Sequence, residues 1–222
     1  MRLRPLFLLF LLTLMVGIGG FAFYLALTKQ VRNSPGTVDV TIGSTKMRLR
    51  SAYMRFALGR DGGQVSRLDI AATFPALEPA GTQRLAAPAT PTSEPDKDIR
   101  ILFLTITQAD RSIDPADRPT SLYSRFLEAD VWTHDAGLLM RRFKNGSPYA
   151  REDLYLAPPD GRMFAARCMR PSQPPDGLPD TCLYDFRTQD LDVQVRFSPN
   201  LLGEWSSLAE NTKKLVDKMI RP

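Results

Sequence analysis

The two cysteines carry the clearest chemistry in the sequence. Cys168 and Cys182 are the only cysteines among 222 residues. Two thiols are too few for a metal site, and the only histidine, His134, lies more than thirty residues from either one. No C-x-x-C redox motif is present. The pair therefore predicts a disulfide, and closing a 15-residue loop predicts a stabilisation of about 3 kcal/mol.

Residues 131–137 hold the one candidate for enzyme chemistry. Trp132, His134 and Asp135 are close in sequence, and a histidine beside an aspartate can act as a general base. A lone His–Asp pair in a loop is more often structural, and no recognisable nucleophile, carboxylate pair or ligand cluster accompanies it. The sequence therefore predicts a protein that is not an enzyme. An envelope hydrolase or ligand-binding module using this region is the alternative.

Two further segments resemble binding sites for ions or cofactors only in composition. The aspartates between Asp110 and Asp117 lack the spacing and central glycine of a calcium loop. The glycines of residues 59–63 lack the lysine and the strand-to-helix context of a phosphate loop. We therefore expect a solvated loop and a turn, with no metal and no cofactor.

A group of basic side chains in residues 46–55 is a candidate for contact with an anionic surface, such as lipid headgroups or wall polymers. Its members are Lys46, Arg48, Arg50 and Arg55. The alternative is a solubilising strand face. No dense basic stripe with interleaved aromatic residues occurs, so nucleic acid is not expected as a partner.

The N-terminus predicts a membrane anchor. An uncharged run of 23 residues begins at Pro5 and ends at Leu27, and Arg2 and Arg4 precede it. As a helix it would reach roughly 35 Å, enough to cross a bilayer core of about 30 Å. A short basic N-terminus predicts that Arg2 and Arg4 stay in the cytoplasm and that the remainder is exported to the periplasm. Residues 5–27 would then contact the lipid bilayer of a bacterial inner membrane.

A cleaved signal peptide is the competing interpretation of this segment. Gly20 and Ala22 are small residues suited to a cleavage site, but the apolar run exceeds the usual 7 to 15 residues of a signal peptide. Removing residues 1–27 takes away two arginines and no acid, so the net charge falls from +5 to +3. Part of the net positive charge of the chain therefore comes from the two arginines that set the predicted orientation of the anchor in the membrane.

The exported part predicts a stalk over residues 28–37 and an α+β domain over residues 38–222. Four prolines and few apolar residues in 78–98 predict a disordered loop within one domain, or else a linker. Residues 99–107 are apolar on both faces, which predicts a central strand covered on both sides. Alternation of apolar and polar residues predicts further strands at 38–42, 45–50, 67–74, 138–143, 153–157, 162–169, 181–187 and 191–197.

Two helices are predicted beside a largely antiparallel sheet. The apolar residues of 121–130 recur at helical spacing, and a short helix there is one candidate to cover the central strand. An amphipathic C-terminal helix follows Ser198 and Pro199, which suit the N-cap and first helical positions. The whole pattern predicts a single-pass, inner-membrane-anchored periplasmic protein with a non-enzymatic interaction or scaffolding domain. Its expected partner is a membrane or periplasmic protein.

Overall fold

The computed structural model describes residues 36–56, 61–81, 100–110, 112–171 and 180–221. The predicted anchor from Pro5 to Leu27, with Arg2 and Arg4, lies outside these residues, as do most of the predicted stalk and residues 82–98 of the proline-rich segment. Within the described part of the chain, no helix is both long and apolar enough to cross a membrane.

A small three-stranded sheet comes first in the unit Thr37–Pro222. Its strands are β1 (Thr37–Ile42), β2 (Thr45–Arg50) and β3 (Gly63–Gln64). β1 and β2 form the predicted antiparallel hairpin, and β3 pairs in parallel with β1. Gly43 turns the hairpin at a φ of +59°, a conformation that glycine adopts without steric cost. The buried side chains alternate along both long strands, as the sequence predicts.

A large antiparallel sheet of eight strands makes up most of the unit, in the order β4-β5-β11-β10-β9-β8-β7-β6. The strands are β4 (Arg67–Thr73), β5 (Ile101–Gln108), β6 (Trp132–Thr133), β7 (Leu139–Arg142), β8 (Glu152–Leu156), β9 (Ala165–Met169), β10 (Cys182–Thr188) and β11 (Leu191–Phe197). The predicted α+β class, with a large antiparallel sheet and a C-terminal helix, is confirmed.

The C-terminal helix α1 (Trp205–Met219) covers one face of this sheet. Ser198 caps the start of the C-terminal helical segment as predicted, since its hydroxyl accepts a hydrogen bond from the main-chain nitrogen of Asn200. A 3-10 turn over Pro199–Glu204 intervenes, so the α-helix itself begins later than its cap. Its buried stripe consists of Leu208, Thr212, Val216 and Met219. The main core lies between this stripe and the apolar residues of both sheets.

Short helical turns replace the helix predicted at residues 121–130. They cover Pro115–Asp117, Pro119–Tyr123 and Ser124–Phe126, and they stop there because Leu127 pairs with Phe143 in a β-bridge. A second apolar cluster forms beneath them on the face opposite α1, from Tyr123, Leu127, Phe143 and Leu154. The turns therefore cover the β7–β8 end of that face and not the central strand β5.

Residues 78–81, the start of the predicted proline-rich loop, return along the outer edge of β4. The main-chain nitrogen of Thr73 donates to the carbonyl of Glu78 at 2.8 Å. The main-chain nitrogen of Ala80 donates to the carbonyl of Ala71 at 3.2 Å. Part of the edge of β4 is thereby occupied by the chain itself.

Candidate functional site

A row of side chains crosses six strands on the face of the large sheet opposite α1. We call it the open row: Ala71, Phe103, Arg196, Leu183, Arg167 and Leu154, each directly opposite the next in the strand register. Neighbouring strands lie about 4.8 Å apart, so opposite side chains on one face are in reach of each other. The register therefore aligns one aromatic ring and two arginines near the centre of the sheet.

Phe103 is the centre of the open row. It is half-buried, and the guanidinium carbons of Arg55 and Arg196 lie 4.5 and 5.1 Å from its ring centroid. At these distances the face of an aromatic ring attracts a cation. The sequence predicts that the second face of β5 is covered, with a helix at residues 121–130 as one candidate; at Phe103 two guanidinium groups lie over the half-buried ring instead of that helix.

Arg55 reaches this ring from outside the large sheet. It follows a 3-10 turn at Ser51–Tyr53, after which Met54 forms a β-bridge with Ile70. The main-chain nitrogen of Arg55 then donates to the carbonyl of Asp69 at 3.1 Å. These main-chain contacts hold the start of the Arg55 side chain at the edge of β4, beside the open row.

Two other arginines near the open row are matched by carboxylates. Arg67 donates two hydrogen bonds of 2.8 Å to Asp69, and Arg167 lies 2.6 Å from a carboxylate oxygen of Glu152. Within the described residues, no ion pair or hydrogen bond engages the guanidinium of Arg55 or Arg196. Arg196 in the open row and Arg55 beside it thus have no carboxylate in an ion pair, although Asp69 attracts Arg55 electrostatically.

The charges on this face shift the pKa of several groups. Burial lowers the pKa of the Arg55 guanidinium, and repulsion from Arg196 lowers it further. Burial alone would raise the pKa of Asp69, but hydrogen bonds from Arg67 and Thr105 outweigh it and hold the pKa below its usual value. Asp69 is therefore an anion that is hydrogen-bonded to Arg67. Its charge also attracts Arg55, but burial and Arg196 outweigh this attraction and lower the pKa of Arg55.

Two concave pockets adjoin at the open row and share Phe103, Thr181 and Arg196. The first, of about 430 Å³, extends past Ile101 to the start of the C-terminal 3-10 turn. The second, of about 330 Å³, is lined by Arg55, Arg67, Arg167 and Arg196 but by a single acidic residue, Glu152. Together they form a concavity with apolar patches and an excess of positive charge.

The disulfide between Cys168 and Cys182 is present. The two residues face each other across β9 and β10, as the predicted antiparallel pairing requires. Both are buried in the main core, on the side of α1. This disulfide fixes β9 against β10, the strands that carry Arg167 and Leu183.

The four basic residues predicted to contact an anionic surface do not form one surface. Lys46, Arg48 and Arg50 point outward from β2, where Arg48 pairs with Asp39 and Arg50 pairs with Glu78, each at 2.5 Å. Arg55 lies instead over Phe103. Their contact with an anionic surface stays a prediction.

The region of Trp132, His134 and Asp135 lies at the β6 end of the large sheet. Nδ1 of His134 lies 2.9 Å from the main-chain oxygen of Asp135, and the ring packs edge-on against Tyr155 at 5.1 Å between centroids. Trp132 is partly exposed beneath the guanidinium of Arg142. Among the described residues, no hydrogen bond joins the His134 ring to the Asp135 carboxylate or to a nucleophile, and no group of His, Cys, Asp and Glu is arranged to hold a metal.

Sequence reasoning missed the open row as a site. Alternation assigned Arg196 and Arg67 to the polar faces of their strands, but no pattern in one sequence gives the register that aligns them. One signal was present, because a central strand that is apolar on both faces needs something to cover the second face. Phe103 is one of the apolar residues on that second face.

The sequence matches no protein-family model and no curated protein. The fold is similar to that of Smlt3025, an immunity protein of the Stenotrophomonas maltophilia type IV secretion system, with a TM-score of 0.57 and 16% identity over 85% of this chain and 94% of that chain. It is more weakly similar to the Neisseria meningitidis iron-regulated outer membrane lipoprotein FrpD, with a TM-score of 0.44 and 12% identity over 83% and 91% of the two chains. At these identities the likeness concerns the fold alone.

Proposed function

We propose that this chain is a non-enzymatic protein of the bacterial cell envelope whose domain, residues 38–222, binds a protein partner. In this proposal residues 5–27 anchor the chain once in the inner membrane. Arg2 and Arg4 remain in the cytoplasm, and the domain lies in the periplasm. The disulfide between Cys168 and Cys182 supports an oxidising compartment for the domain.

The open row is the observation that carries this proposal. At its centre a half-buried aromatic ring lies beside two arginines that form no ion pair with a carboxylate of the described residues. Aromatic residues and arginine are the types enriched at the energetic centres of protein interfaces. A row held by the register of six strands is also a rigid platform, so binding would cost little ordering of the backbone.

Immunity is the form of partner binding that the fold likeness supports. Smlt3025 is an immunity protein of a secretion system, and the likeness extends over 94% of that chain. A protein delivered by a secretion system is therefore the class of partner that we propose. The alternative of a hydrolase or ligand-binding module at Trp132, His134 and Asp135 has no catalytic contact in its favour among the described residues.

Site-specific photocrosslinking in growing cells tests partner binding. A photoreactive benzoylphenylalanine replaces Gln194, an exposed residue of β11 beside the open row, or Ser207, an exposed residue on the far side of α1. Irradiation of the full chain should yield a discrete adduct with another protein from position 194 and none from position 207. Equal adducts from both positions, or no adduct from either, would contradict binding at the open row.

Competition between strains tests the immunity form of the proposal. A strain lacking the gene should be outcompeted in dense contact with its parent, and the full chain should restore its survival. A variant with Phe103→Asp should not restore survival although it accumulates to the same level. Equal survival of the deletion strain and its parent would rule out immunity while leaving other protein partners open.

A further inference from the structure

Arg55 and Arg196 lie over one aromatic ring, and neither forms an ion pair with a carboxylate of the described residues. Their guanidinium carbons lie 4.5 and 5.1 Å from the centroid of the same ring, Phe103. The nearby carboxylate of Asp69 is engaged by Arg67, and that of Glu152 by Arg167. Asp69 still attracts Arg55 electrostatically, and Asp180 lines the first pocket beside Arg196, but no carboxylate of the described residues forms an ion pair with either guanidinium.

The surroundings make this arrangement unfavourable in the free protein. Burial and the charge of Arg196 both lower the pKa of Arg55, which means that they disfavour its charged form. Cation–π contacts with Phe103 and the attraction of Asp69 act in the opposite direction. An anion within reach of both guanidinium groups would reduce the repulsion and gain charge-assisted hydrogen bonds.

The shape of the site suits a segment of chain better than a single small ion. The two adjoining pockets measure about 430 and 330 Å³. Apolar surface from Ile101, Leu183 and Met169 lines them beside the charges. A flat lipid surface has no feature to fill such a concavity, whereas a peptide offers both carboxylates and hydrocarbon.

We propose that Arg55, Phe103 and Arg196 bind an acidic segment of the protein partner, with a carboxylate of that segment accepting hydrogen bonds from the two guanidinium groups. This inference rests on the proposed function and assigns the chemistry of its partner. Leu183 and Met169 then contact the aliphatic parts of the same segment. The paired arginines, Arg67 and Arg167, keep the walls of the site in place.

Peptide binding to the full chain in detergent tests this chemistry. The probe is a fluorescein-labelled hexaglutamate peptide followed by fluorescence anisotropy at low salt, with labelled hexaglutamine as the neutral comparison. Hexaglutamate should bind, hexaglutamine should not, and affinity should fall as salt rises. Arg55→Gln and Arg196→Gln should each weaken binding about tenfold or more, since each removes one side of a desolvated charge contact.

Arg48→Gln is the matched control. It removes the same charge from β2, where Arg48 pairs with Asp39, and should change affinity by less than about twofold. The melting temperature of each variant shows whether it folds. Equal losses in the Arg48, Arg55 and Arg196 variants would overturn the proposal, because binding would then follow net charge alone.

Two other probes test whether the site binds a different class of ligand. Inorganic pyrophosphate that displaces hexaglutamate at equal concentration would overturn the proposal in favour of a small-anion site. Vesicles of phosphatidylglycerol that bind through Arg55 and Arg196, in place of the peptide, would overturn it in favour of a lipid surface.

Failure of this inference can be told apart from failure of the proposed function. Adducts at position 194 combined with hexaglutamate binding that ignores Arg55 and Arg196 would retain a partner at the open row and reject its acidic chemistry. Arginine-dependent hexaglutamate binding without any cellular adduct would support the chemistry of the site and reject the partner.

Discussion

Removal of the disulfide should lower stability by an amount that the structure allows us to work out. Cys168 and Cys182 close a loop of 15 residues, for which the chain-entropy model gives about 3 kcal/mol. In a domain of this size, 1 kcal/mol corresponds to a shift in melting temperature of about 2–4 °C. The double variant Cys168→Ala/Cys182→Ala should therefore melt roughly 6–12 °C below the wild type.

Circular dichroism of the full chain in detergent measures this shift. Wild-type protein that has been unfolded, reduced and refolded in dithiothreitol should melt close to the double variant. The double variant itself should be insensitive to the reductant, so it controls for effects of dithiothreitol that do not involve the bond.

Two results would refute the reasoning about this bond. The first is free thiols at Cys168 and Cys182 in exported protein, detected by mass spectrometry under non-reducing conditions. The second is a melting temperature that does not change when a confirmed disulfide is removed, since closure of the loop would then contribute nothing to the free energy of unfolding.

Four further predictions, two of them with a second substitution for comparison, separate the contributions to the fold. Phe164→Ala should cost about 3–5 kcal/mol in urea unfolding, because the ring is fully buried against Tyr184 and Trp205; a loss below about 1 kcal/mol would contradict this. Ser198→Ala should cost about 1 kcal/mol through loss of the cap, whereas Ser207→Ala on exposed α1 should cost little. Asp69→Asn should be destabilising at neutral pH, and the difference in stability from wild type should shrink as the pH falls towards and below 4. Folding lowers the pKa of Asp69, so the contribution of its carboxylate to stability is present above the unfolded pKa of about 3.8. That contribution is lost when the carboxylate is protonated in the folded protein. A difference that does not vary with pH would argue against the Arg67–Asp69 contact. Arg55→Met should leave the melting temperature unchanged or raise it, whereas Arg167→Met should lower it by leaving Glu152 without its partner.

Local patterns in the sequence were enough for most individual elements. Strict alternation identified β4 and β11, and Ser198 with Pro199 marked the start of the C-terminal helical segment. The disulfide followed from composition and from the antiparallel pairing of β9 and β10. These features depend on neighbours in sequence or on adjacent strands, so a single chain contains the information for them.

Long-range placement was harder to predict, for physical reasons. The helical spacing at residues 121–130 is real, but the β-bridge from Leu127 to Phe143 ends the helical turns at Phe126. The separate three-stranded sheet depends on β3, a strand of two residues with no periodic signal. The position of Arg55 over Phe103 depends on the turn after β2 and on a bridge from Met54 to Ile70, which no local pattern gives.

Some arginines on this face form ion pairs and others do not, and this difference favours a binding surface over a solvated sheet face. If the open row only kept the sheet soluble, its cations would gain from pairing, as Arg67 and Arg167 do. Arg55 and Arg196 instead repel each other over one ring, and burial adds to the cost at Arg55. A methionine at position 55 would pack on Phe103 without that cost, but it would lose the cation–π contact and the attraction of Asp69. The charge of the arginine is therefore only partly compensated in the free domain. We infer that this charge stabilises the complex with a bound anion, at some cost to the stability of the free domain, as is common at binding sites.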